Sequence, residues 1–129
     1  MVFARYTGFL SEVWSMNRDL GTKGEELASA AARAEGYSVL ASNYRCPLGE
    51  IDLVLQQGST IVFAEVKTRR GNSYGEPWEA VTEAKQERIR RVAIWYVQQH
   101  NLQLTYRFDV FTVFATRGTW QYRWYKDAF

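Results

Sequence analysis

Residues 60–68 read Thr-Ile-Val-Phe-Ala-Glu-Val-Lys-Thr. Such β-branched and aromatic content predicts a strand. Its alternation sets Ile61, Phe63, Glu65 and Lys67 on one face and Val62, Ala64, Val66 and Thr68 on the other. The first half is apolar on both faces. That excludes a half-solvated edge and predicts a central strand covered on both sides. The second half then carries a carboxylate and an ammonium in the same strand.

The flanking segments supply the cover. Residues 24–35 are alanine-rich and stop at Gly36, which predicts a helix with a glycine just past its end. Residues 37–42 predict a short strand, and residues 43–49 hold turn formers at both ends. Residues 50–56 predict a second strand, with Glu50, Asp52 and Val54 facing one way and Ile51, Leu53 and Leu55 the other. Gln57-Gly58-Ser59 makes a hairpin connection to the central strand. Residues 69–77 read as a loop. Residues 79–99 read as a helix with an apolar stripe of Ile89, Val92, Ala93, Tyr96 and Val97. Strands follow at 106–115 and at 120–125. The expected fold class is α/β: helix, three-strand antiparallel meander, helix, strand, with the long helix allowing a right-handed parallel crossover.

A chain of 129 residues, 47% hydrophobic, suffices for one domain with a packed core. No apolar run reaches membrane-spanning length, so no membrane partner is expected. The single Cys46 cannot form an internal disulfide, which fits a cytoplasmic setting, and with one His100 it makes no conventional zinc site. Residues 1–15 lack the features of a signal peptide and read as an N-terminal extension. Phe9, Leu10 and Trp14 can pack on the domain, and translation can also begin at Met16. Residues 16–129 form the expected single domain.

Net charge is only +2, yet residues 1–65 hold five Lys/Arg against eight Asp/Glu, and residues 66–129 hold eleven against six. The second half contains two basic clusters. One is Lys67, Arg69 and Arg70. The other is Lys85, Arg88, Arg90 and Arg91. Such clusters can track a phosphate backbone; a solvated helix face and loop is the plainer reading.

Glu65 and Lys67 rise together by about 7 Å on one face of the strand. Charges inside an apolar strand are costly unless paired or bound to metal. Asp52, in the strand joined by the hairpin, can converge on Glu65. Two carboxylates repel unless a cation or a proton lies between them. Mg²⁺, or Mn²⁺ in its stead, suits such hard oxygen ligands and can activate water against a phosphodiester. Lys67 can orient that water or stabilise charge on the phosphate. The alternative is a partly buried Glu65–Lys67 ion pair with Asp52 near a turn.

Several segments stand in one order: Gly24-Glu25-Glu26-Leu27-Ala28, Asn43-Tyr44-Arg45, Gly49-Glu50-Ile51-Asp52-Leu53, and residues 62–69. Lys85 with Arg88 and Arg107-Phe108-Asp109-Val110 continue the series. Together they resemble the YraN family, small bacterial proteins related to restriction endonucleases and Holliday junction resolvases of the PD-(D/E)XK superfamily. The resemblance covers residues 16–129. It implies a restriction-endonuclease-like core, with Asp52, Glu65 and the Val66 carbonyl as Mg²⁺ ligands and Lys67 assisting the attacking water. Glu25 matches a helix glutamate that often joins such sites. Ile51 stands where the motif's proline would be. Resolvase relatives act as dimers, which implies a possible homodimer.

The expected function is a Mg²⁺-dependent endonuclease acting on structured or branched DNA. Arg69, Arg70, Tyr74, Lys85, Arg88 and Arg91 are the candidate nucleic-acid contacts, and Asn72 and Ser73 share the loop with Tyr74. The alternatives are a nucleic-acid-binding module of the same fold with little catalysis, and a structural partner in a nucleic-acid-processing assembly. Trp95, Trp120, Trp124 and Tyr125 are read as core or interface, His100 as non-catalytic, and Arg107 and Asp109 as pairing across the sheet.

Overall fold

The computed structural model describes residues 2–6, 20–70, 81–102 and 104–129. Phe9, Leu10, Trp14, Asn72, Ser73, Tyr74 and the expected helix start at Glu79 lie outside them. Strands β1 (Val2–Tyr6), β2 (Ser38–Cys46), β3 (Gly49–Gln57), β4 (Thr60–Arg70), β5 (Thr105–Thr116) and β6 (Thr119–Tyr125) form one six-stranded sheet ordered β1-β6-β5-β4-β3-β2. Helices α1 (Leu20–Ala34) and α2 (Glu83–Gln99) complete the fold.

β2, β3 and β4 pair antiparallel, as their short turns require. β4 and β5 pair parallel from Thr60↔Thr105 to Arg70↔Ala115. The chain between them includes α2, the long connection that parallel neighbours need. The expected α/β meander-and-crossover arrangement is therefore present. The segment read as an extension contributes β1, which pairs antiparallel with β6 at the sheet edge.

The sheet has two apolar faces because β4 has two. On one face α1 buries Leu27, Ala28, Ala31 and Ala32 against Leu53, Leu55, Val62, Ala64 and Phe111. On the other α2 buries Ile89, Val92, Ala93 and Tyr96 against Ile51, Val54, Ile61, Phe63 and Phe108. Phe63 is wholly buried there, worth about 1.5–3 kcal/mol from burial alone.

Glycines fix how α1 meets the sheet. Gly36, at φ +88°, ends the helix. Its amide donates to the Arg33 carbonyl at 3.0 Å, and that of Tyr37 to the Ala32 carbonyl at 3.0 Å. This is the paired reversal that turns a helix end back with a left-handed glycine. Gly24 lets the start of α1 touch β4, since a Cβ there would overlap the Thr68 hydroxyl. At α2, Thr82 caps the first turn by accepting a bond from the Lys85 amide at 3.3 Å.

Several boundaries differ from expectation. α1 starts at Leu20, four residues early. β2 runs through Asn43 to Cys46, so the turn is only Pro47-Leu48. β4 keeps Arg69 and Arg70, which sequence put in a loop, because β5 pairs with them throughout. Along β3, Ile51 packs with Val54 on the α2 face, not with Leu53 and Leu55. The strand departs from simple alternation between them, at Asp52.

Candidate functional site

The site begins with that departure. The β2–β3 register runs through Ser42↔Leu53 and resumes at Tyr44↔Ile51, with Asn43 between them in a left-handed conformation, φ +52°. On the other side, β3–β4 pairing ends at Leu53↔Ala64. Asp52 thus stands where both neighbouring ladders are interrupted. Its carboxylate replaces a ladder partner: Oδ2 accepts a hydrogen bond of 2.8 Å from the Val66 amide. The bond ties Asp52 to the segment that carries Glu65.

Glu65 follows Phe63 on the α2 face and is only 4% exposed. Its Oε2 lies 3.2 Å from Lys85 Nζ, while Oε1 is buried with no hydrogen-bond partner among the described residues. Burial pushes its pKa up, the Asp52 charge adds to this, and Lys85 offsets part of it; the result is about 8. The two carboxyls are close enough for a protonated Glu65 to hydrogen-bond to Asp52. Near neutral pH Glu65 therefore holds a proton where a cation can replace it.

Both carboxylates open onto a cleft of about 760 Å³, lined also by Arg45, Cys46, Pro47, Leu48, Gly49, Glu50, Lys85, Arg88 and Ile89. β2, the hairpin tip and α2 supply its walls. Arg45 Nε lies 3.0 Å from Glu50 Oε2, and both side chains are largely exposed. An exposed pair of this kind contributes little and rearranges readily. No cluster of three His, Cys, Asp or Glu side chains occurs among the described residues. The donors present are two carboxylates and the neighbouring main-chain carbonyls.

The other residues singled out from sequence are dispersed. Lys67 is exposed, two residues beyond Glu65 on the same strand, and the cation paired with Glu65 is Lys85 instead. Glu25, half-buried on α1, accepts a 3.0 Å hydrogen bond from Asn43 Nδ2. It borders a separate cavity of about 300 Å³ with Thr22, Glu26, Ser29, Arg33, Ser42 and Asn43. Of the helix cations, Lys85 and Arg88 line the main cleft, whereas Arg91 pairs with Glu87 at 3.2 Å. Arg69 is half-buried, and Arg70 borders a small cavity at the β5–β6 turn. Tyr74 lies outside the described residues. Sequence reading missed Arg45 as a lining residue. Its only signal was a cation five residues before Glu50 across a possible hairpin.

Arg107 and Asp109 form a separate unit. Two 2.8 Å bonds run from the Arg107 guanidinium to the wholly buried Asp109. Asp109 also accepts from Trp124 Nε1 at 2.8 Å and from the Asp127 amide at 2.9 Å. The pair lies within one strand rather than across the sheet. This network ties β5 to β6 and the C-terminal turn, and Trp124 is core as expected.

Residues 24–113 match the model of the uncharacterised protein family UPF0102. The chain is 47% identical to a UPF0102 protein of Caldicellulosiruptor saccharolyticus over 98 residues, 75% of this chain and 83% of that protein. It is 47% identical to one of Nocardia farcinica over 100 residues, 77% and 79% of the two chains. With one of Syntrophus aciditrophicus it shares 41% identity over 116 residues, 89% and 91%.

Proposed function

We propose that this chain, which belongs to the uncharacterised protein family UPF0102, the YraN family, is a Mg²⁺-dependent endonuclease that hydrolyses phosphodiesters in structured or branched DNA. One observation carries the reading: Glu65 is buried beside Asp52, with an oxygen that has no hydrogen-bond partner among the described residues, in an open cleft lined also by Arg45, Lys85 and Arg88. The order of helix, antiparallel meander, helix and parallel strand supports a restriction-endonuclease-like core.

The residues fit a divalent cation. Two carboxylates and a carbonyl, that of Val66, are hard oxygen donors of the number Mg²⁺ takes from proteins before water and phosphate complete its shell. The orphaned Glu65 Oε1 gains a partner, and its raised pKa marks a carboxyl that ionises when positive charge arrives. When bound, Mg²⁺ or Mn²⁺ supplies an activated water and polarises a phosphoryl oxygen. The chain's own groups do the rest. Arg45, Lys85 and Arg88 hold phosphate oxygens and offset their charge. Lys67, one pleat beyond Glu65, orients the attacking water. The Val66 amide keeps Asp52 aimed at the cleft.

A second reading has its own support. Lys85 Nζ, 3.2 Å from Glu65 Oε2, already gives that buried oxygen a partner without metal, as in a nucleic-acid-binding module with little catalysis. Cleavage of labelled duplex, single-stranded, flap and four-way-junction DNA in Mg²⁺, Mn²⁺ or EDTA separates the two. The nuclease reading predicts metal-dependent cutting lost in Glu65→Ala and Lys67→Ala with binding retained. Binding without cutting by the wild type supports the module instead.

A further inference from the structure

The tip of the β2–β3 hairpin carries a side chain that neither the core nor the carboxylate chemistry uses. Leu48 is 45% exposed, whereas Leu53 and Leu55 of the same hairpin are wholly buried. The turn is only Pro47-Leu48, and the proline ring fixes its own φ. Leu48 faces the same cleft as Asp52, Glu65, Lys85 and Arg88. Exposed Arg45 lines that cleft from the adjoining strand.

The combination selects a kind of ligand. An apolar side chain in a cleft lined by Arg45, Lys85 and Arg88 together with Glu50, Asp52 and Glu65 is a poor seat for an apolar protein surface, which would desolvate the charges. Nucleic acid satisfies both, with phosphates on the cations and an apolar side chain inserted at a base step. The depth of Glu65 adds a constraint. Glu65 is only 4% exposed, and a strand freed at an interrupted step can enter the cleft more deeply than one held in a regular duplex. Unstacking is least costly where the stack is already interrupted.

We propose that Leu48 is a wedge that enters a weakened base step of duplex DNA, so that this cleft selects gapped, mismatched or branched sites over intact duplex. The inference rests on the phosphodiesterase reading above and names the residue that would set its substrate preference.

The test uses the full chain in EDTA, with a duplex carrying 2-aminopurine beside a one-nucleotide gap and its intact counterpart. Wild type should brighten the fluorophore at the gap and bind the gapped duplex about tenfold tighter, a difference of about 1.4 kcal/mol. Leu48→Ala, at an exposed tip, should lose both the brightening and the preference while keeping its affinity for intact duplex. Leu48→Met should keep all three. If Leu48→Ala brightens and discriminates as wild type does, the wedge is wrong and the phosphodiesterase reading stands. A Leu48→Ala variant that sediments as a smaller species than wild type would make Leu48 a contact between copies and overturn the wedge. Wild type that binds neither duplex overturns both readings, whereas one that binds both equally overturns the wedge alone.

Discussion

The Asp52 carboxylate stands in for a main-chain acceptor, its Oδ2 taking the Val66 amide hydrogen bond at 2.8 Å. One residue thus does two jobs. It closes the gap where β3 and β4 stop pairing, and it keeps a negative charge against Glu65.

The two jobs separate by substitution. Asp52→Asn can still accept from Val66 but carries no charge, so stability in urea should hold while DNA cleavage is lost. Asp52→Ala leaves a partly buried amide without an acceptor, which costs about 1–3 kcal/mol. Relief of repulsion on Glu65 offsets part of that loss. Urea midpoints of the three proteins, measured beside cleavage, check both halves.

Glu65 makes stability depend on pH. Its folded pKa, about 8, lies above the ordinary value of 4.5. Between these values the folded chain holds a proton that the unfolded chain has released. This contribution is fully present below about pH 4.5 and is lost as pH rises through about 8, on the order of a few kcal/mol. Without divalent cation, the melting temperature should therefore fall across this range more steeply in wild type than in Glu65→Gln. Equal slopes would show that Glu65 titrates normally.

Asp109 offers a contrast, since its bonds are structural. It is wholly buried and serves Arg107, Trp124 and the Asp127 amide at once. Asp109→Ala strands all three donors and should cost about 3–5 kcal/mol in chemical denaturation. The fraction that remains folded should bind DNA as wild type does, because the residue lies outside the cleft.

The sequence was most legible where local chemistry decides. The two-faced apolar run of β4, the stripe of Ile89, Val92 and Tyr96, and Gly36 after an alanine-rich helix each carry their own structural instruction. Misreadings came where distant segments decide. Strict alternation put Ile51 with Leu53, but the interrupted ladders at Asp52 turn Ile51 onto the α2 face. The alternative reading paired Lys67 with Glu65 by spacing, yet Lys85 reaches Glu65 from α2. Nothing local marks residues 2–6 as an edge strand, because only β6 completes their ladder. The nearness of Asp52 and Glu65 was legible from sequence because hairpin geometry brings them together, whereas the place of Arg45 needed the β2 extension that turn-rich residues concealed.

The most direct test of the carboxylate pair as a cation site is calorimetric titration of Mg²⁺ into wild type and Glu65→Gln at pH 7, in two buffers of different ionisation enthalpy. Wild type should bind Mg²⁺ and release close to one proton per ion as Glu65 ionises, and Glu65→Gln should bind far more weakly and release none. Mg²⁺ binding with equal affinity and no proton release in both proteins, or no binding by wild type with DNA absent or present, would contradict a cation site at this pair.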